Sequence, residues 1–180
     1  MKQTAQNSSA TFISVVLGSY NRRQFLKTTI GSIRNNGIAV PYEIIVVDGG
    51  STDGSLRWLL KQKDVITIVQ HNRGAWQGQP IKRRSWGYFM NLGFKSAHGK
   101  YIVMVSDDCL LVPRAIPNGY ELFEKKIDQG EKVGAMAFYW RNWPEQKAYN
   151  VGQTLGNKMF VNHGVFLKEA VEEVGWIDEN

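Results

Sequence analysis

The sequence feature that most constrains the fold is the stretch 101–113, YIVMVSDDCLLVP. Residues 101–105 carry no charge and are followed at once by Ser106, Asp107 and Asp108. Such an apolar, β-branched run predicts a strand buried on both faces, as in a parallel sheet. Ligands bind at the carboxyl ends of strands in open α/β sheets, so two carboxylates there indicate a divalent cation, Mg²⁺ or Mn²⁺. The alternative is an ordinary turn with two solvated aspartates.

Extended and helical patterns alternate along the rest of the chain. Apolar runs predict further strands at 12–17, 42–47 and 65–69, separated by segments with apolar residues at helical spacing. This alternation predicts βαβ units with right-handed crossovers, hence an α/β fold with a mostly parallel central sheet flanked by helices. Beyond residue 113 we expect helices at 117–129 and 168–174 and strands at 133–139 and 159–166. One domain, 12–180, is predicted after a disordered tail, 1–11.

Composition narrows the class of protein. The 180 residues are 43% hydrophobic, enough for a sizeable core, and their net charge of +6 favours an anionic partner such as a nucleotide, a nucleic acid or a membrane surface. The single cysteine, Cys109, excludes a disulfide framework. Because the sequence shows neither a signal-peptide core nor a run of about 20 apolar residues, we expect a cytoplasmic protein.

Polar residues follow three of the predicted parallel strands: 19–21 (Ser-Tyr-Asn), Asp48, and Asp107 with Asp108. Together they predict a nucleotide site. In it Tyr20 lies against a base, Asp48 accepts a hydrogen bond from a base N–H, and the later aspartates hold a metal that bridges phosphates. A basic loop supplies further phosphate contacts through Arg73, Lys82, Arg83 and Arg84. The alternative is that Tyr20 and Asp48 only shape strand-to-helix turns.

Four segments of the chain resemble glycosyltransferase family 2: SVVLGSYNRRQFLKTTIGSI, EIIVVDGGSTDGS, NLGFKSAHGKYIVMVSDDCLLVP and VEEVGWIDEN. In the third, residues 106–108 overlie the family's DxD-type metal motif, with Ser106 where the first aspartate often stands. The resemblance implies a GT-A fold and the metal-assisted, inverting transfer of a sugar from a nucleoside diphosphate sugar to a hydroxyl of a glycan or lipid-linked acceptor. It also implies a nucleotide-sugar-binding half, 12–113, and a partial acceptor half, 114–180.

The resemblance assigns roles position by position. Tyr20 and Asp48 match positions that contact the base, and Ser19 lies beside them. Asn91 matches a helical asparagine near the donor. Asp107 is expected to approach the ribose or the sugar. Asp108 is the expected ligand of Mn²⁺ or Mg²⁺.

Two departures from the family pattern stand out. Met90 fills the place before Asn91 where the family often has arginine. The segment that carries the general base normally follows the stretch that resembles GWIDEN, but this sequence stops at Asn180. We therefore assign no catalytic base and expect a chain truncated before that segment. The alternative function is a nucleotide-sugar-binding fragment or partner subunit without the base. Peripheral association with the inner face of a membrane stays open.

Other functions fit the residues less well. Nucleotidyl transfer favours a glycine-rich loop, and a dinucleotide oxidoreductase favours GxGxxG, after the first strand; this chain has GSYNRR. The basic residues are too scattered for a nucleic-acid module. Two weaker interpretations concern the acceptor half: His163 lining an acceptor pocket, and Trp140 and Trp143 either stacking on a sugar or packing beneath a loop. The aromatic residues of the helix predicted at 85–97, including Trp86, are expected in the core.

Overall fold

The structure is a computed structural model that describes residues 13–151 and 161–180. The predicted tail, 1–11, and the first part of the strand predicted at 159–166 lie outside these residues. The strands are β1 Ile13–Ser19, β2 Tyr42–Asp48, β3 Val65–Val69, β4 Ala75–Trp76, β5 Gln79–Pro80, β6 Tyr101–Met104, β7 Ala135–Ala137 and β8 Gly164–Leu167. The helices are α1 Arg23–Arg34, α2 Ser55–Leu59, α3 Trp86–Ser96, α4 Ala115–Asp128 and α5 Lys168–Glu173.

Six strands form the central sheet, in the order β3-β2-β1-β6-β8-β7. The four adjacent strands β3, β2, β1 and β6 are parallel to one another, whereas β8 runs antiparallel to both of its neighbours, β6 and β7. The prediction of a mostly parallel sheet is therefore confirmed. The strands β4 and β5 form a separate hairpin inside the basic loop. Within the described residues, no helix has the length and apolar character that a membrane span requires.

Helices cover both faces of the sheet, because the side chains of each central strand alternate between two cores. Val15 and Leu17 pack in one core with residues of α1 and α4, including Ile30 and Phe123. Val16 packs in the other core with residues of α3 and α5. A β-carbon on Gly93 of α3 would lie 2.5 Å from the Val16 side chain, so glycine allows this helix to approach β1 closely.

The register of the parallel strands brings their polar ends to one edge. Ser19 pairs with Asp48 at the ends of β1 and β2, and Val16 pairs with Met104 at the end of β6. We call this edge, where β1, β2 and β6 end, the carboxyl edge. The opposite edge, where these strands begin, is the amino edge.

One local expectation, the burial of Trp86, was wrong, and the start of α1 is held by a distant loop. The side chain of Asn21 accepts the amide of Thr52 (2.8 Å). The amide of Arg23 at the start of α1 donates to Asp53, 30 residues farther along the chain (2.9 Å). Trp86 is 52% exposed rather than part of the core, because it faces the cavity described below.

Candidate functional site

A cavity of about 540 Å³ opens at the carboxyl edge. Among the described residues, its charged lining consists of four arginines and two aspartates, and its aromatic lining of one tyrosine, one tryptophan and one phenylalanine. These residues are Arg22, Arg73, Arg83, Arg84, Asp107, Asp108, Tyr20, Trp86 and Phe89. With two more positive than negative side chains, the cavity is suited to an anionic ligand.

Asp107 is held rigidly at the wall of this cavity. Its Oδ2 accepts a hydrogen bond from the hydroxyl of Ser19 at 2.7 Å, which joins the ends of β6 and β1. The hydroxyl of Thr29 in α1 donates to the backbone oxygen of Asp107 at 2.8 Å. Strand and helix therefore fix both the backbone and the carboxylate of Asp107.

Burial raises the pKa of Asp107, although the hydroxyl of Ser19 and the charge of Arg22 act in the opposite direction. The residue is only 5% exposed. Its negative charge is therefore poorly solvated, and further positive charge in the cavity would favour the ionised form.

Asp108 is more accessible than its neighbour, because 45% of its side chain is exposed. Its Oδ2 lies 2.7 Å from Nη1 of Arg22, and the same nitrogen lies 3.3 Å from Oδ1 of Asp107. One guanidinium thus bridges the two carboxylates. The structure separates the pair into a buried and an open aspartate.

The two carboxylates suit a cation that binds together with a nucleotide. Among the described residues, no group of three or more histidine, cysteine, aspartate or glutamate side chains is placed to hold a metal ion. Mg²⁺ is usually bound by one or two carboxylates plus phosphate oxygens, so Asp108 with a diphosphate is a sufficient donor set. The residues fit such a cation if Arg22 leaves Asp108.

Asp48 is fully buried at the end of β2. Its Oδ1 accepts the backbone amides of Gly50 (2.9 Å) and Ser51 (2.7 Å), which closes the turn. Its Oδ2 is also buried, and no hydrogen-bond partner for it lies among the residues described. A buried carboxylate oxygen without a donor is costly. Asp48 is not among the described residues that line the cavity, although its neighbour Gly49 is, and its contact with a base stays a prediction.

Tyr20 lies at the cavity wall beside this turn. A β-carbon on Gly49 would lie 3.0 Å from the Tyr20 ring, so glycine lets the ring pack closely against this turn. The guanidinium of Arg73, from the basic loop, lies 5.1 Å from the ring centroid. This places a cation over the aromatic face that the base was expected to contact.

The side-chain amide of Asn91 makes its hydrogen bonds within the protein. Its Nδ2 donates to the backbone oxygen of Ile177 (2.8 Å) and to Oε1 of Glu179 (2.7 Å), and its Oδ1 accepts the amide of Ile177 (3.1 Å). It is not among the described residues that line the cavity. The observed role of Asn91 is to hold residues 177–179 against α3, and its contact with the donor stays a prediction.

His163 lies next to the two aspartates. Its Nε2 is 2.9 Å from the hydroxyl of Ser106. Burial lowers the pKa of His163, and the negative charge of Asp108 opposes this only in part. His163 is not among the described residues that line the cavity, although its neighbour Asn162 is, so its place in an acceptor pocket stays a prediction.

An aromatic segment, residues 138–150, leaves the carboxyl edge beside His163. The amide of Phe138 donates to the backbone oxygen of His163 at 2.8 Å, and Trp140 pairs with Asn150 across the base of the segment. Tyr139 and Trp143 are 72% and 73% exposed. Trp143 is thus not packed beneath a loop, which leaves its ring accessible to a ligand.

Comparison with known families decides the classification. The family model described as glycosyl transferase family 2 matches residues 14–171. The chain belongs to this family. An uncharacterized glycosyltransferase of Nostoc sp., alr2836, is 30% identical over 114 residues, which are 62% of this chain and 33% of that protein.

Two solved structures share the fold. Staphylococcus aureus TarS in complex with UDP superposes with a TM-score of 0.69 at 12% identity, covering 91% of this chain and 49% of TarS. The mannosyltransferase PcManGT of Pyrobaculum calidifontis, in complex with GDP-Man and Mn²⁺, gives a TM-score of 0.65 at 20% identity, covering 91% of this chain and 46% of PcManGT. The chain thus spans less than half of either neighbour. These similarities confirm the predicted GT-A fold.

Sequence reasoning missed the most central residue of the site. Arg22 follows the first strand within GSYNRR, where its charge was visible, but no local pattern indicated that it contacts aspartates 85 and 86 residues away. Phe89 was also missed as a lining residue, because its spacing in α3 resembles that of a core residue.

Proposed function

We propose that the chain binds a nucleoside diphosphate sugar at the carboxyl edge and transfers its sugar to a hydroxyl acceptor with inversion, assisted by Mn²⁺ or Mg²⁺. The observation that carries the proposal is the cavity at the ends of three parallel strands, which four arginines and two aspartates line among the described residues. The arginines match a diphosphate in charge and geometry. The neighbours that were solved with UDP and with GDP-Man and Mn²⁺ support the same class of ligand.

The donor side divides into a base end and a phosphate end. At the base end, the free Oδ2 of Asp48 accepts a base N–H and Tyr20 contacts the ring, with Ser19 beside them. At the phosphate end, Arg83 and Arg84 bind phosphate oxygens. Asp107 approaches the ribose or the sugar.

Asp108 holds the cation at the phosphate end. When bound, the divalent ion stabilises negative charge on the diphosphate as it leaves. The acceptor oxygen then forms a bond to the anomeric carbon, the bond from that carbon to the diphosphate oxygen breaks, and the acceptor proton passes to a general base.

We place the general base after Asn180, as the family resemblance implies. The position of residues 177–179 supports this placement. The hydroxyl of Ser85 donates to the backbone oxygen of Glu179 at 2.7 Å, and Ser85 lies between Arg84 and Trp86, which line the cavity. A general base typically contributes about 10²–10⁴-fold to the rate.

The aromatic segment is proposed as the start of the acceptor side. β7 runs in the same direction as β6, so the segment 138–150 leaves the sheet at the edge where Asp107 and Asp108 lie. Exposed rings such as Trp143 suit the faces of sugars. This arrangement supports a glycan acceptor and the division into a donor half, 12–113, and an acceptor half, 114–180. The net charge of +6 supports peripheral association with the anionic inner face of a membrane.

The proposal is tested by calorimetric titration of the chain with UDP, GDP and dTDP, each with and without MnCl₂. We expect one of these to bind, with an affinity that Mn²⁺ raises by about tenfold or more. The matching nucleoside is the control, and it should bind much more weakly because it lacks the diphosphate. If none of the three diphosphates binds in the presence of Mn²⁺, the proposed function is wrong.

A further inference from the structure

The contact of Arg22 with both aspartates has a consequence for ligand binding. Asp108 is the residue proposed to hold a divalent cation, yet its Oδ2 already has a cationic partner at 2.7 Å. A divalent ion bound to Asp108 would lie close to the guanidinium, and two cations repel strongly when they share one carboxylate. Arg22 therefore competes with the metal for Asp108.

The backbone of Arg22 is fixed, so only its side chain can respond to this competition. The preceding residue, Asn21, donates its amide to the hydroxyl of Ser51 (2.9 Å), and its side chain accepts from Thr52. The following residue, Arg23, donates its amide to Asp53. The loop 51–53 thus holds the chain on both sides of Arg22.

The side chain of Arg22 has room to move. Half of it is exposed, and it lines the carboxyl-edge cavity together with the three arginines of the basic loop. A guanidinium that leaves Asp108 therefore remains inside a space that suits a diphosphate. Its planar set of N–H donors matches phosphate oxygens as well as it matches a carboxylate.

We propose that Arg22 occupies the cation position at Asp108 in the nucleotide-free protein and moves onto the diphosphate when metal and nucleotide bind together. Arg22 then weakens binding of the free metal ion and strengthens binding of the metal–diphosphate complex. This coupling makes the site selective for the two ligands in combination. The inference rests on the proposed function, because it requires a diphosphate in this cavity.

The coupling predicts opposite effects of one substitution, which a merely structural role would not produce. In Arg22→Ala, Mn²⁺ alone should bind about three- to tenfold more tightly, because the competing cation is gone. Pyrophosphate with Mn²⁺ should bind about tenfold or more weakly, because a charge-assisted hydrogen bond to the diphosphate is lost. Pyrophosphate serves as the probe because it does not depend on the identity of the base.

Arg23→Ala is the matched control. It removes the same charge from the neighbouring residue, whose guanidinium lies near Gly54 and which is not among the described residues lining the cavity. Both affinities should stay within about twofold of wild type, because exposed charges farther away are screened. Arg22→Gln is a second test variant. It is neutral but retains an N–H donor for the buried Asp107, so it should fold even if the alanine variant does not.

The measurement is calorimetry of the full 180-residue chain, first with MnCl₂ alone and then with pyrophosphate at saturating MnCl₂. Tighter metal binding combined with weaker pyrophosphate binding in the Arg22 variants supports the proposal. Affinities that change in the same direction, or not at all, overturn it while leaving the proposed function intact. If the wild-type chain binds neither pyrophosphate nor any nucleoside diphosphate, the proposed function fails as well.

Discussion

The carboxylates at the two edges of the central sheet differ in the hydrogen-bond partners that the protein provides for them. At the amino edge, Glu43 accepts hydrogen bonds from the hydroxyl of Ser14 (2.6 Å) and the amide of His98 (2.8 Å), and its second oxygen lies 3.2 Å from the His98 ring. At the carboxyl edge, Asp48 has a buried oxygen with no donor among the described residues, and Asp108 pairs with the half-exposed side chain of Arg22.

The pKa shifts express the same difference. Burial acts to raise the pKa of Glu43, but the hydrogen bonds from Ser14 and His98 outweigh it, so the pKa is lowered. For Asp107 burial prevails, and the pKa is raised. Hydrogen bonds within the protein outweigh the effect of burial on Glu43, whereas those of Asp107 do not outweigh the effect of its burial. The comparison supports the proposal that the amino edge is structural and that the carboxyl edge binds the ligand.

The largest expected effect is that of Asp108→Ala at the carboxyl edge. The affinity for the nucleoside diphosphate that binds with Mn²⁺ should fall by at least about a hundredfold, because the exposed carboxylate proposed to hold the cation is lost. The free energy of unfolding should hardly change, since 45% of this side chain is exposed. Calorimetry and chemical denaturation measure the two quantities. Affinity that is unchanged and independent of Mn²⁺ would show that Asp108 is not the metal ligand.

Asp48→Asn tests the base end of the same edge. The amide oxygen of asparagine can still accept the amides of Gly50 and Ser51, but its nitrogen would replace the free oxygen with a donor. We expect nucleotide affinity to fall about ten- to a hundredfold, the value of a hydrogen bond to a charged group, with the fold intact. Pyrophosphate affinity is the control and should not change. Equal losses for nucleotide and pyrophosphate would contradict the assignment of Asp48 to the base.

The sequence predicted which residues meet at the carboxyl edge better than it predicted the individual contacts between side chains. Parallel strands place their carboxyl ends together, so Ser19, Asp48 and Asp107 could be grouped from local patterns alone. The hydrogen bond from the Arg23 amide to Asp53 and the hydrogen bond from Asn91 to the backbone oxygen of Ile177 join residues that are 30 and 86 positions apart. Such contacts are set by how the elements pack, and no periodicity within one segment contains that information.

Glu43→Ala tests the amino edge. Unlike Asp48→Asn, it should lower the stability of the fold and leave nucleotide affinity unchanged. The buried hydroxyl of Ser14 and the amide of His98 would lose their acceptor, so we expect the free energy of unfolding to fall by about 1–3 kcal/mol. Nucleotide affinity should remain that of wild type. Glu43→Gln, which keeps one oxygen acceptor, is the matched control and should lose less than half as much stability. A loss of nucleotide affinity without a loss of stability would contradict the structural role assigned to the amino edge.

The smallest expected effect lies at an exposed ion pair beside the start of β3, between Arg34 and Asp64 (2.6 Å). The hydrogen bonds from Arg34 lower the pKa of Asp64 below its ordinary value of 3.8. Its contribution is therefore present above about pH 4 and disappears as pH falls through the lowered pKa. At pH 7, Asp64→Asn should cost about 0.2–1 kcal/mol of unfolding free energy, because solvent screens the pair. A difference between variant and wild type that grows below pH 4 would contradict this sign.

The most direct test of the binding edge is paramagnetic broadening of backbone amide resonances in the ¹⁵N-labelled chain. Substoichiometric Mn²⁺ is added to the chain saturated with the nucleoside diphosphate that binds best, and Mg²⁺ serves as the diamagnetic control. We predict that the amide resonances of Ser19, Gly49, Asp107 and Asp108 are lost first, while those of Glu43, His98 and Gly99 at the amino edge persist. Broadening centred on the amino edge, or spread evenly over the chain, would contradict the account.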